Sequence, residues 1–397
     1  MNVLMVDQYG QTGGAQKCLL DLIADWPREG NLVVAAPEDG TLLQSVRDAG
    51  FIPEAISSGP YASGRGRVFD TLRFCNDAIQ QRTILRGLIE RFDIDVVYVN
   101  GPRVLLGSAL AARGRCPVVF HAHNHLQRRS DLAMVQFALR RCSSTVIACC
   151  AHAGRGLQAS IIQNGVPNAG YRLRRYPPEG AWRIGIVGRI SREKGHFMLI
   201  DAVRMLIGEE YRMALTVAGA SLFGTGDYET EVRRRAEKLD VRFTGWLENV
   251  GETLAELDLL IVPSTAEPGL PRVVLGAFSA GVPVVALPTG GIPEAVRDNV
   301  TGFLVQGAAP ADLAERLRSA MEGSPAELGR VALNARLEWE NYWNVERWRS
   351  EVMRAIRTAA ETAAPGSDSL AASAAASGGY PAGPARACGR GASDAKA

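Results

Sequence analysis

Arg183-Ile184-Gly185-Ile186-Val187-Gly188-Arg189-Ile190-Ser191-Arg192-Glu193-Lys194-Gly195-His196, running on into Phe197-Met198-Leu199-Ile200, decides how the rest of the chain is read. Residues 184–187 form a short apolar run of the kind a strand buried on both faces shows. Gly188 turns the backbone, and Phe197, Ile200, Ala202, Val203 and Leu206 then recur at helical spacing. The stretch therefore reads as strand, tight loop, helix. Arg189 and Lys194 flank the loop at the strand's carboxyl end, which is where open α/β sheets bind ligands. The helix start adds unpaired N–H groups and a partial positive charge. The combination suits a diphosphate; the plainer reading is two solvated surface cations.

Working outward, 397 residues exceed one ordinary core and fit two domains. A 47% hydrophobic and 22% charged composition is that of a globular protein. A formal net charge of +2 argues against a nucleic-acid partner, which calls for a strongly basic face. The seven cysteines, at 18, 75, 116, 142, 149, 150 and 388, are odd in number and never spaced C-x-x-C. They suggest neither a zinc site nor a disulfide framework. The first residues enter a strand directly, without the basic flank and apolar run of a signal peptide, and no later segment is long enough to span a bilayer. The expected location is cytoplasmic.

In chain order, residues 2–6 read as a strand, followed by a Gly13-Gly14-Ala15 loop and a helix through Leu19, Leu20, Leu22 and Ile23. The paired glycines let backbone approach a ligand closely. They do not form G-x-G-x-x-G, which argues against an NAD-dependent oxidoreductase. Further strands are expected at 32–36, 52–56, 96–99, 118–121 and 145–148, separated by helices at 41–49, 68–91, 103–112 and 130–141. This alternation predicts a doubly wound parallel sheet. A glycine-rich segment at 58–67 interrupts it as a loop. The second half repeats the pattern, with strands near 184–188, 213–218, 241–244, 258–262 and 282–286. The fold class is thus α/β: two Rossmann-like doubly wound parallel sheets facing a cleft. The expected domains are 1–167, a linker at 168–182, a second domain at 183–340, a C-terminal helix at 341–362 and an Ala/Gly/Ser/Pro tail at 363–397 that cannot bury enough surface to order.

The strand at 118–121 ends in His121-Ala122-His123-Asn124-His125. Alternation puts His121 and His123 on one side if the strand continues. No neighbouring Asp, Glu or Cys completes a metal set, so acid/base or hydrogen-bonding work at the cleft mouth is the functional reading and a packed histidine the structural one. The helix at 130–141, between Arg128-Arg129 and Arg140-Arg141, allows a peripheral membrane contact, although its apolar residues wrap far enough round for a buried helix.

Taken in order, these motifs resemble the retaining group 1 nucleotide-sugar glycosyltransferases of the GT-B fold. The resemblance covers about residues 2–360. It rests on Gly13-Gly14-Ala15, His121 after a strand, Asn164-Gly165-Val166-Pro167, Val187-Gly188-Arg189 with Glu193-Lys194-Gly195-His196, and Phe243-Thr244-Gly245. It continues through Asp258 to Val262-Pro263-Ser264, Gly281-Val282-Pro283-Val284-Val285, and Gly290-Gly291-Ile292-Pro293-Glu294. It implies that Arg189 and Lys194 clamp a nucleotide diphosphate, that Gly13 and Gly14 face the donor phosphates, and that His121 is the cleft histidine. Glu267 falls in the place of the first glutamate of E-x7-E, on the donor sugar, with Leu270, Arg272 and Val273 in the same donor-binding segment. The donor substrate is a nucleoside-diphosphate sugar, no further cofactor is implied, and the acceptor is a saccharide, a lipid-linked or a small-molecule hydroxyl. One position departs: the second glutamate, which holds the ribose in the family, would stand at 276, and this chain has Gly276. That departure leaves a sugar-nucleotide-binding partner without turnover as the rival reading.

Overall fold

The computed structural model describes residues 1–59, 67–221, 226–266 and 268–362. Most of the glycine-rich segment at 58–67, Glu267 and the tail from 363 lie outside the described residues.

The first sheet holds β1 (Val3–Asp7), β2 (Leu32–Ala36), β3 (Ile52–Ala55), β4 (Val96–Asn100), β5 (Val118–Ala122), β6 (Ser144–Ala148) and β7 (Ser160–Ile161). Their order is β3-β2-β1-β4-β5-β6-β7. The second holds β8 (Trp182–Val187), β9 (Met213–Ala218), β10 (Val241–Gly245), β11 (Leu259–Val262), β12 (Val284–Ala286) and β13 (Phe303–Leu304). Their order is β10-β9-β8-β11-β12-β13. Neighbouring strands pair parallel throughout both sheets. In each sheet the winding reverses beside its first strand, between β1 and β4 and between β8 and β11, and such reversals open ligand crevices at the strands' carboxyl ends.

Strand periodicity places the core. Val3 and Met5 share one apolar cluster with Leu32, Val34 and Ala36, whereas Leu4 and Val6 join Val33 and Ala35 in another. The second cluster runs on without a break into Leu270, Val274, Leu275 and Phe278, so the two halves meet through core-like packing. The outer face of the first sheet is closed by the last helix, Val345–Thr362. Its Trp348, Val352, Ile356 and Ala359 pack with Val3, Met5 and Tyr98, and Trp348 is wholly buried.

Several elements differ from the sequence reading. β7 and β13 are two-residue strands, too short to carry a period. A helix at Pro325–Glu338 opens on Ser324, whose hydroxyl caps the Glu327 N–H at 3.1 Å. The linker segment is not loose. Arg174 donates to the carbonyls of Leu257 (2.8 Å), Ala280 (2.7 Å), Gly281 (3.0 Å) and Ala255 (2.9 Å), occupying acceptors that two helix ends leave unpaired. The helix Arg129–Leu139 lies at the surface, with Val135 and Ala138 buried, Phe137 exposed and the Arg141 guanidinium 4.2 Å over the Phe137 ring.

Candidate functional site

At the second-sheet reversal, β8 is followed by Gly188, whose φ of +144° excludes most side chains. Gly219, at φ +141°, passes so close that a Cβ on it would collide with the Gly188 carbonyl. Gly195 ends the single turn Arg192–Lys194 and starts the helix His196–Gly208; at φ +77° a Cβ there would strike the Pro263 carbonyl beyond β11. Glycine geometry thus seats this loop against the ends of β9 and β11. Arg189 lies 3.3 Å from Glu193 Oε1, and the Ser191 hydroxyl donates to the same oxygen at 2.7 Å. Burial, then the Arg189 charge, lowers the Lys194 pKa, while Glu193 opposes them. Arg189 alone contacts the carboxylate, while Lys194 feels it at a distance, so this loop keeps a net positive charge. His196 points elsewhere: it is buried against Tyr228, and burial pushes its pKa down to about 4.

At the first-sheet reversal, the last residues of β1 and β4 meet. Asn100 Nδ2 donates to Asp7 Oδ2 at 2.5 Å and to the Ala15 carbonyl at 3.2 Å. Gln16 Nε2 donates to Asp7 Oδ1 at 2.7 Å, and Gln16 Oε1 accepts the Gly13 N–H at 3.1 Å. Burial raises the Asp7 pKa to about 6 against these donors. Gly13 precedes the helix Gly14–Ile23 and Gly14 is exposed, with nothing within 4 Å of where a Cβ would be.

His121 and His123 do share a side, their rings 4.0 Å apart. His121, however, is fully buried with Nδ1 2.5 Å from the Tyr98 hydroxyl, because β5 runs one residue past it to Ala122. The half-buried histidine at the strand's mouth is His123, whose Nε2 meets Asn100 Oδ1 at 2.5 Å. Burial pushes its pKa down to about 3, so it is neutral at physiological pH. Among the described residues no group of three or more His, Cys, Asp or Glu could hold a metal ion.

The donor-segment residues lie where the halves touch. Leu270 is buried, and its carbonyl accepts from Asn164 Nδ2 at 3.3 Å; Val273 packs against the shared core. Arg272 reaches across the interface to an ion pair with Asp21, and it donates to the Gly165 carbonyl at 3.1 Å. Glu294, which the sequence reading quoted in a motif without a role, accepts the Ala151 and His152 N–H groups, both at 2.8 Å. Gly276 faces the core: a Cβ on it would stand 3.0 Å from Cδ1 of buried Leu254. Gly276→Glu is therefore expected to lower unfolding stability by about 3 kcal/mol or more, since it buries an unpaired carboxylate. Urea unfolding checks this; unchanged stability would mean that the helix can turn position 276 toward solvent.

Two family models cover most of this architecture: one described as Glycosyltransferase Family 4 matches residues 12–168, and one described as Glycosyl transferases group 1 matches residues 181–322. The chain belongs to the group 1 glycosyltransferases. Relatives of this group 1 chain include a D-inositol 3-phosphate glycosyltransferase of Corynebacterium jeikeium, 36% identical over 142 residues, with 34% of each chain covered. Another is the sulfoquinovosyl transferase SQD2 of Arabidopsis thaliana, 28% identical over 272 residues, covering 58% of this chain and 50% of that one. A third, the Salmonella typhi Vi polysaccharide biosynthesis protein VipC/TviE, is 33% identical over 141 residues, covering 34% of this chain and 23% of that one. The matches thus span half or less of these relatives' lengths. Among solved structures, Anabaena Alr3699/HepE in complex with UDP-glucose shares the fold at a TM-score of 0.75 and 24% identity, covering 90% of this chain and all of that one. Two parallel-sheet domains in this arrangement are the GT-B fold.

Proposed function

We propose that this group 1 glycosyltransferase moves a sugar from a nucleoside diphosphate to a hydroxyl acceptor with retention of anomeric configuration. The observation that carries the reading is the pair Arg189 and Lys194 in one loop at the β8–β11 reversal, close enough that the Arg189 charge disfavours the Lys194 charge. Breaking the C1–O bond leaves negative charge on the departing phosphate while the ring becomes cationic. Fixed Arg, Lys and N–H groups stabilise that charge without reorganising during the reaction. Charge neutralisation is thereby assigned to protein cations, and no metal is called for. The acceptor hydroxyl enters on the face the diphosphate leaves, and the departing phosphate takes its proton. Gly14 supplies an amide from the first domain, the Gly13 N–H being held by Gln16, with His123 beside the reacting sugar in the place expected for His121. Glu267 keeps its proposed place on the donor sugar. Exposed Phe137 among Arg113, Arg140 and Arg141 supports peripheral contact with an anionic membrane face, in keeping with a cytoplasmic enzyme acting on a lipid-linked acceptor.

The test is a donor panel of UDP- and GDP-sugars, beginning with UDP-glucose, offered with saccharide, inositol phosphate and lipid-linked acceptors. Acceptor-dependent release of the nucleoside diphosphate is expected. The absence of both release and a donor-induced rise in melting temperature would overturn the reading. A sugar-nucleotide-binding partner without turnover would instead show the thermal shift without release.

A further inference from the structure

The side chains around Asp7 admit one assignment of their hydrogens. The Ala15 carbonyl can only accept, so the nitrogen end of the Asn100 amide must face it and Asp7. The Gly13 N–H can only donate, so the oxygen end of the Gln16 amide faces it and the nitrogen end faces Asp7. The Tyr9 N–H also donates to Asp7 Oδ1, at 2.9 Å. Asp7 thus receives donors at both oxygens and is the acceptor of the set. Asn100 Oδ1 is then left toward His123 Nε2, and an amide oxygen can only accept. His123 must carry its proton on Nε2, leaving Nδ1 as a lone pair. Burial keeps the imidazole neutral, so the choice of tautomer alone decides what it offers.

From this chain we infer that Asp7 and Asn100 are positioning residues which fix His123 as the Nε2–H tautomer, and that Gln16 links that choice to the Gly13–Gly14 loop. His123 then presents a hydrogen-bond acceptor through Nδ1. Its partner would be a hydroxyl of the donor sugar or of the acceptor, and a deprotonated phosphate oxygen would be repelled. The role of His123 in transfer rests on the function proposed above; the tautomer does not. Asp7 and Asn100 are 93 residues apart in sequence and Asn100 and His123 are 23 apart, yet each sits at or just beyond the end of β1, β4 or β5.

The experiment is nitrogen NMR of the full chain labelled with 15N-histidine, at a pH well above the value of about 6 for Asp7. His123→Gln identifies the His123 signals by their loss. A protonated Nε2 and an unprotonated Nδ1 are expected. In Asp7→Asn the Tyr9 and Gln16 donors hold the new amide's oxygen at the Oδ1 position, so its nitrogen faces Asn100, which must give up its bond to the Ala15 carbonyl and turn its nitrogen toward His123 to accept it. His123 should shift wholly or partly to the Nδ1–H form, and turnover at saturating sugar nucleotide should fall about tenfold to a hundredfold with little change in KM, the loss expected for a misplaced hydrogen bond. If wild-type His123 already carries Nδ1–H or a mixture, the inference is overturned, whether or not any variant folds. An unchanged tautomer in folded Asp7→Asn also overturns it. The predicted tautomers in a protein that transfers no sugar would instead defeat the proposed function and leave this inference standing.

Discussion

Lys194→Ala is expected to lower kcat/KM for the sugar nucleotide about 10²–10³-fold, the loss typical when one fixed donor to a developing negative charge is removed. The melting temperature should stay close to wild type. Lys194 stands half-buried beside Arg189, and burial and like-charge repulsion together already disfavour its charged form. Removing it relieves that cost in the free protein, so the loss falls on the liganded state. Arg189→Ala is a less clean test, because it also strips Glu193 of a partner and leaves a carboxylate facing the incoming diphosphate. The pH dependence has a definite sign. Lys194 has a lowered pKa and must be protonated to attract phosphate, so donor affinity should weaken as pH rises, beginning below the ordinary lysine range. Steady-state kinetics with varied donor, repeated from neutral to alkaline pH, checks both statements. A Lys194→Ala enzyme within threefold of wild type would remove the clamp from the mechanism.

The largest expected loss of stability comes from Trp348→Ala, about 3–5 kcal/mol, the range for deleting a buried Trp or Phe side chain. Trp348 is fully buried in a cluster that includes Val3, Met5, Leu19 and Tyr98, although it enters from the far end of the sequence. Its neighbourhood cannot collapse easily. Gly165 lies so close that even a Cβ there would meet the Asn344 carbonyl and the Trp348 Cβ. Trp348→Phe should recover part of the loss, since a ring still fills the site. Urea unfolding followed by far-ultraviolet circular dichroism measures the difference, and a loss below about 1 kcal/mol would show that the last helix is a dispensable cover.

Much of the architecture was legible because β and α periods differ and both halves repeat them. The apolar runs at 3–6, 32–36 and 184–187 are nearly continuous, as two-sided burial demands. The helix at Pro325–Glu338 was legible in principle, since Ser324, Pro325 and Glu327 form a regular helix start. The site was harder to read. Alternation told which side His121 and His123 occupy, but depth depends on where β5 stops, and one extra residue of strand buries the first and brings the second to the mouth. Asp7 and Asn100 gave no local signal: they become neighbours when β4 inserts beside β1, and that pairing is a property of strand order. Arg272 read as a donor-side cation, whereas its ion pair with Asp21 depends on how two separately patterned halves meet.

The placement of Trp348 also bears on how the molecule is made. A ribosome releases β1 through β6 early, but the side chains that close their outer face, from Val345 to Ala359, emerge after the whole second sheet. That second sheet is one unbroken stretch of sequence. The first half must wait with Val3, Met5 and Tyr98 uncovered, so the segment made first is the last to be finished, and nascent chains stalled before residue 345 are the ones that will need a chaperone's cover.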